Sequence, residues 1–153
     1  MIDSFSGEYA FLSNFYPSQI RYGGIFPTAE HAYQGMKTLS MKERMEIAKL
    51  PTPGQAKRAG KKVTLRKDWE LIKLQIMEGI LLVKFSNKEM AEQLIATGDQ
   101  ILVEGNTWGD RYWGVCNGQG QNNLGKRLMR VRTVCRKKFP DIAAKYPLPS
   151  PRS

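Results

Sequence analysis

The chain has 153 residues, is 41% hydrophobic, and carries 24 Lys and Arg against 14 Asp and Glu for a net charge of +10. This length suits one domain with a real core, no apolar run approaches the ~20 residues of a membrane span, and the excess positive charge favours an anionic partner such as nucleic acid, a nucleotide or a sugar phosphate. Residues 1–7 carry neither a basic stretch nor an apolar run, so no secretion signal is expected and the expected compartment is the cytoplasm. Cys116, Cys135 and a single histidine cannot assemble a zinc set, and no disulfide is expected in a reducing compartment.

Residues 19–22 and 25–26 read as two short strands across Gly23-Gly24. Pro27 breaks regular structure, and Thr28 caps a helix predicted over 28–39. Glu30, Gln34 and Lys37 are spaced i, i+4, i+7 and share one face of that helix. A carboxylate, an amide and an amine in a row suit a pocket. Taken singly, Glu30 complements the helix dipole and Lys37 is solvated. A second short helix is predicted over 41–50, stopped by Pro51 and Pro53, then one or two turns over 54–60 carrying Lys57.

Residues 68–85 form the clearest helix, with Asp68 as its cap and Trp69, Ile72, Ile76, Ile80 and Val83 as a stripe of 3.6 period. Asn87 caps a further helix to about residue 97, with Gly98 as its stop. Ile101-Leu102-Val103 is a strand candidate. The last long helix is predicted over 122–138, burying Leu124, Leu128, Val131 and Cys135 and projecting Lys126, Arg127, Arg130, Arg136 and Lys137 from its other sides. Three prolines exclude a helix from the tail at 146–153. The expected fold is a helix-rich α+β domain over residues 1–145 with a small antiparallel sheet.

Several motifs fail on inspection. Residues 120–127 nearly match a phosphate-binding P-loop, but Arg127 stands where a magnesium-binding Ser or Thr is required. The segment is either a phosphate-binding loop ahead of a helix or an ordinary loop and cap. Gly118-Gln119-Gly120 lacks the third glycine of a dinucleotide fingerprint. His31, the only histidine, sits beside Glu30 on a helix, and neither cysteine lies in a nucleophile setting, so a serine or cysteine hydrolase is not expected. Residues 108–114 are more informative, with Trp108, Asp110 and Trp113 between glycines in a loop. Tryptophan faces suit a heterocyclic ring. We read Trp108 as anchoring the loop on the core and Trp113 as facing a ligand.

Asn14-Phe15-Tyr16-Pro17, the run from Pro27 to Lys37, Ala56-Lys57 with Gly60, and Arg66-Lys67-Asp68-Trp69 together resemble the NADAR (YbiA-like) family. So do Lys84-Phe85, Thr97-Gly98-Asp99, Leu102-Val103-Glu104, Asp110-Arg111-Tyr112-Trp113-Gly114, and Asn123-Leu124-Gly125 with Leu128-Met129. The match runs in order over about residues 5–135. Gly35 departs mildly where an alanine is usual, and Gly109 lies at a variable position.

The resemblance implies N-glycosidase activity without metal or cofactor, on a ribosylated, phosphorylated heterocycle. Its important positions carry over to Glu30, Asp110, Lys37, Trp69 and Trp113. Hydrolysis builds positive charge on the ribose, so one carboxylate near C1 stabilises it while an acid protonates the departing nitrogen. Glu30 and Asp110 are the expected pair, with their roles open. A Lys37 of lowered pKa offers a Schiff-base route instead, or serves as a cation for phosphate. Trp69 is either a core residue or a pocket border. Asn14 and Gln34 are candidates for ribose hydroxyls or the base edge, and Lys57 for phosphate. The expected substrate is ADP-ribosylated guanine in nucleic acid or nucleotides. The alternatives are ribosylamino-pyrimidine phosphates of riboflavin synthesis, or a non-catalytic module binding ADP-ribose or nucleic acid.

Overall fold

In the computed structural model, residues 1–149 are described, and their element ends follow local chemistry. Thr28, Ser40, Thr52 and Asn87 each cap a helix by accepting an N–H of its first turn. Thr52 does so in a capping box with Gln55, ahead of a proline at the first helical position. The chain divides into two units, Ser13–Lys84 (the α1 unit) and Met1–Leu12 with the residues from Phe85 onward (the α6 unit).

In the α1 unit, β1 (Pro17–Arg21) pairs antiparallel with β2 (Ile25–Thr28), in the register Ile20 to Phe26 and Arg21 to Ile25. Gly23 turns the hairpin at φ +63, a conformation that favours glycine. Four helices follow: α1 (Ala29–Gly35), α2 (Met41–Ala48), α3 (Pro53–Ala59) and α4 (Trp69–Lys84). α1 packs against β2, α2, α3 and α4, and all seven of its residues are buried.

α1 stops four residues earlier than its spacing predicts. Met36 is its C-cap, and Lys37 lies in the turn beyond. The Thr38 hydroxyl then donates to Glu43 Oε1 at 2.7 Å and accepts from Ser40 N at 3.1 Å, which shapes the entry to α2. α4 buries Trp69, Ile76, Met77, Ile80, Leu81 and Lys84, so its core face is turned from the predicted stripe, and Ile72 and Val83 are half-buried. The Asp68 carboxylate accepts from Arg66 at 2.7 and 3.2 Å and does not cap the first turn.

The α6 unit holds a 3-10 helix (Gly7–Leu12), α5 (Lys88–Ile95), β3 (Gly105–Asn106), β4 (Val115–Cys116), α6 (Asn123–Lys138) and α7 (Pro140–Lys145). α6 packs on α5 and α7 and buries the predicted Leu124, Leu128, Val131 and Cys135. It also buries Arg132, whose Nη1 donates to Thr97 Oγ1 at 2.9 Å and to the Gln100 carbonyl at 2.8 Å.

The strand expected at 101–103 is a single parallel bridge from Leu102 to Ile2. One reason is that the Leu102 carbonyl is taken by Asn122 Nδ2 at 2.9 Å and lies against Gly125, where a Cβ has no room. The two-residue β3–β4 pair is parallel, a feature with no periodic signal behind it. The tail begins as expected beyond α7, and its residues 150–153 lie outside the described residues. Among the described residues no helix is long and apolar enough to cross a membrane. The fold is the helix-rich α+β class with a small antiparallel sheet.

Candidate active site

α1 is positioned by its N-terminus. The Thr28 hydroxyl accepts from His31 N at 3.1 Å and pairs with His31 Nδ1 at 2.7 Å. His31 Nε2 lies 2.9 Å from the Leu50 carbonyl. A carbonyl only accepts, so Nε2 carries the proton, Nδ1 is the acceptor, and Thr28 donates to it. Burial lowers the His31 pKa, keeping the ring neutral against the opposing Leu50 bond. The lone histidine is thus a brace for the start of α1.

That brace sets Glu30 and Gln34 inward, 8% and 4% exposed. Gln34 Nε2 donates to Glu30 Oε1 at 3.0 Å, an i, i+4 contact that fixes the carboxylate. Glu30 N donates to the Asn14 carbonyl at 3.0 Å, which ties the turn before β1 to the first turn of α1. Asn14 Nδ2 reaches Met77 Sδ at 3.5 Å, while Asn14 Oδ1 and Gln34 Oε1 are buried with no hydrogen-bond partner among the described residues. Two such acceptors in one core are costly unless something donates to them. Gly60 abuts the Gln34 amide so closely that a Cβ there would overlap it.

Lys37, half-buried, holds Nζ 5.6 Å from the centroid of Tyr33. Tyr33 meets Trp69 at 5.1 Å between centroids with a 56° tilt. Burial lowers the Lys37 pKa; Glu30 opposes this, and Lys61, Lys73 and Lys57 add to it. The structure therefore brings Asn14, Glu30, Gln34, Lys37 and Trp69 together, with Lys57 within electrostatic range of Lys37. Trp69 is buried, 4% exposed. Lys61, Lys73 and Tyr33 complete the cluster and went unnoticed in the sequence, because their meeting depends on how α1, α3 and α4 pack.

Lys84 is a further buried cation of the α1 unit. Its ammonium is 1% exposed, donates to the Ser13 carbonyl at 2.7 Å and lies 5.8 Å from the Tyr16 ring centroid. Desolvation lowers its pKa to about 7. It pins the residue before Asn14. A cavity of about 370 Å³ beside β2 and α2, lined by Phe26, Met41 and Met45 among others, contains none of the candidate residues.

Asp110 and Trp113 belong to the α6 unit, in a loop built by side-chain hydrogen bonds. Asp110 Oδ1 accepts from Tyr112 N at 3.1 Å and Trp113 N at 2.9 Å. Asn106 clasps the same residue, accepting from Asp110 N at 3.0 Å and donating to its carbonyl at 2.8 Å. Trp113 is half-buried and meets Tyr112 edge-on at 4.9 Å. Trp108, expected to anchor the loop on the core, is 63% exposed. The residues that anchor the loop are polar ones, Asn106 and Asp110.

The phosphate-loop alternative for 120–127 loses its donors here. Gln121 N, Asn123 N and Leu124 N donate to the carbonyls of Arg111, Tyr112 and Trp113 at 2.8, 3.2 and 2.9 Å. The segment is a loop joined to residues 111–113, and Asn122 leads into α6 without a side-chain cap.

The NADAR domain family matches residues 3–136. The N-glycosidase YbiA of Shigella flexneri is 41% identical over 134 residues, 84% of this chain and 83% of that protein. A riboflavin biosynthesis protein of Vibrio vulnificus is 36% identical over 82% of this chain but only 35% of its own length. The NMR structure of Escherichia coli YbiA superposes with a TM-score of 0.78 at 36% identity, covering 92% of this chain and 90% of that one. The enzyme reading therefore stands over the binding-module alternative, and the chain is a hydrolase acting on N-glycosyl bonds. Ordered motifs, a family match over nearly the whole chain and a shared fold lead to one conclusion: this protein belongs to the NADAR domain family.

Proposed function

We propose that this N-glycosidase removes ADP-ribose from ADP-ribosylated guanine, in nucleic acid or nucleotides. The observation that carries the reading is the α1 cluster: a buried carboxylate gripped by an amide, beside a half-buried lysine within electrostatic range of three more. Lysines gathered in this way, Lys73 among them paired with Glu70 at 2.7 Å, suit a phosphorylated ligand.

In the reaction the C1–N bond breaks, water supplies a hydroxyl to C1, and its proton goes to the departing nitrogen. Glu30, whose Oε1 accepts from the Gln34 amide, is placed to stabilise the positive charge that grows on the ribose. The side-chain oxygens Asn14 Oδ1 and Gln34 Oε1, without a hydrogen-bond partner among the described residues, are acceptors suited to ribose hydroxyls. Lys37 and Lys57 hold phosphate, and Trp69 backs Tyr33 beneath Lys37. Asp110 is proposed as an acid or base in its own loop, since Oδ1 is committed to the backbone and no protein donor among the described residues reaches Oδ2. Trp113 is proposed to face the heterocycle. In the covalent variant Lys37 attacks C1 of the ring-opened imine, the amine leaves, and water then cleaves the Schiff base.

A second reading, a ribosylamino-pyrimidine phosphate as substrate, is favoured by the name of the Vibrio relative. Wild type and Glu30→Gln are each offered both substrates without added metal, and released ADP-ribose or ribose phosphate is followed by mass spectrometry. Release of ADP-ribose by the wild type alone supports the proposal. Release of ribose phosphate alone replaces it with the second reading. Equal turnover by Glu30→Gln removes Glu30 from the chemistry. Borohydride trapping during turnover decides the covalent variant, which fails if no adduct forms.

A further inference from the structure

Two features of the α6 unit are unused by the glycosidase chemistry. Seven of the sixteen residues of α6 are Lys or Arg and none is acidic. A solvated helix ordinarily mixes charges, because opposite charges at i, i+4 help and like charges harm. Here Lys126 faces Arg130 at i, i+4, and Lys126 and Arg127 lie near the N-terminus, where the helix dipole disfavours cations.

Several of the seven hold other parts of the unit. Arg132 holds Thr97 and Gln100, Arg136 reaches the Ala143 carbonyl at 3.4 Å, and Lys138 reaches the Ser86 carbonyl at 3.3 Å. Lys126 and Lys137 are exposed. Eleven residues apart, they lie on one face roughly 16 Å from each other. That spans roughly five phosphates of a stacked strand at about 3.4 Å each.

The second feature is Trp108. The residue is 63% exposed, next to Gly109 at φ +88. An exposed indole offers a flat π face on which a nucleobase can stack. Arg111, also exposed, follows it. The bonds from Gln121, Asn123 and Leu124 to the carbonyls of residues 111–113 join this loop to the start of α6, so the ring and the basic helix belong to one body.

We propose that the α6 unit docks a single-stranded nucleic acid, with a base stacked on Trp108 and the phosphate backbone along Arg111, Lys126 and Lys137. Aromatic platforms combined with cationic tracks are the general solution for single strands, since every base has a face to stack and every phosphate a charge. The surface is independent of the glycosidic step. It concerns how a polymer is held, whichever base is modified.

The test uses the full chain and an unmodified fluorescent 15-nucleotide DNA strand, read by anisotropy between 50 and 200 mM salt. An abasic strand and a duplex of the same length are the comparators, and circular dichroism checks that each variant is folded. The expected result is preferred binding of the base-bearing single strand, with a log–log salt slope near −2 for about three phosphates at ~0.7 each. Trp108→Ala weakens that binding about ten-fold, as loss of one stacked base does, and leaves the abasic strand unaffected. The Lys126→Glu/Lys137→Glu variant weakens both strands and flattens the slope by about 1.4. No binding at 50 mM salt, equal binding of abasic and base-bearing strands, or a duplex preference indifferent to Trp108 overturns the proposal. Because the strands are unmodified, that failure leaves the glycosidase assay untouched, and the reverse holds too.

Discussion

The α1 cluster and the Asp110 loop hold their polar groups in opposite ways. In the α1 unit a short helix is buried on every side, and Glu30 and Gln34 are fixed because their helix is fixed. In the α6 unit no regular element carries Asp110. Side chains of Asn106 and Asp110 bond to nearby backbone and create the shape themselves. The difference teaches where charge and where geometry are at stake. Burial makes the α1 cluster sensitive to any change of charge or volume, whereas the loop depends on keeping an acceptor at position 110.

The sharpest break of that comparison is Glu30→Gln. It keeps the shape of a residue positioned by its helix and removes the charge, so kcat should fall by about 10²–10⁴ with little change in melting temperature. A variant that melts far lower would make Glu30 structural. Asp110 separates shape from charge in the other region. Asp110→Asn retains an acceptor for Tyr112 N and Trp113 N, so the loop stays ordered and the loss, about 10²-fold in kcat, reports the charge alone. Asp110→Ala removes both and should add a loss of stability of about 1–2 kcal/mol in chemical denaturation. Equal activity of Asp110→Asn and wild type would reduce Asp110 to a loop brace.

Lys84 tests how burial governs charge in the α1 unit. Its folded pKa, about 7, lies below the 10.5 of the unfolded chain. Between those values the unfolded state binds more protons, so Lys84 makes stability rise with pH, by up to ~1.4 kcal/mol per unit. Below pH 7 the buried ammonium is a cost in full. Lys84→Met should lose this rise and flatten the melting temperature between pH 7 and 10. An unchanged slope would show that Lys84 does not titrate there. The smallest loss of kcat is expected at Gly60→Ala, whose methyl meets the Gln34 amide. A destabilisation of about 1–3 kcal/mol is expected from such overpacking, with a lower kcat as Gln34 loosens its grip on Glu30. Full activity would mean that the amide does not hold the carboxylate.

Much of this was legible in the residues. Thr28, Asn87 and Gly98 mark helix ends through local chemistry, and the i, i+4 spacing of Glu30 and Gln34 is realised as a hydrogen bond. Lys37 was legible as a member of the cluster but not in its place, because the Thr38–Ser40 turn ends α1 before it. Trp108 was misread, since aromatic residues in a glycine-rich loop carry no sign of which one turns outward.

The sequence by itself determined the longer helices, the family and the residue types brought to the chemistry, because caps, breakers and periodicity act over a few residues and ordered motifs survive as text. Only the tertiary structure decided that Lys57, Lys61 and Lys73 come within range of Lys37, that Lys84 is buried beneath Ser13, and that the phosphate-like loop spends its N–H groups on residues 111–113. These depend on contacts between distant parts of the chain, where burial sets the strength of every charge, and no local pattern encodes burial.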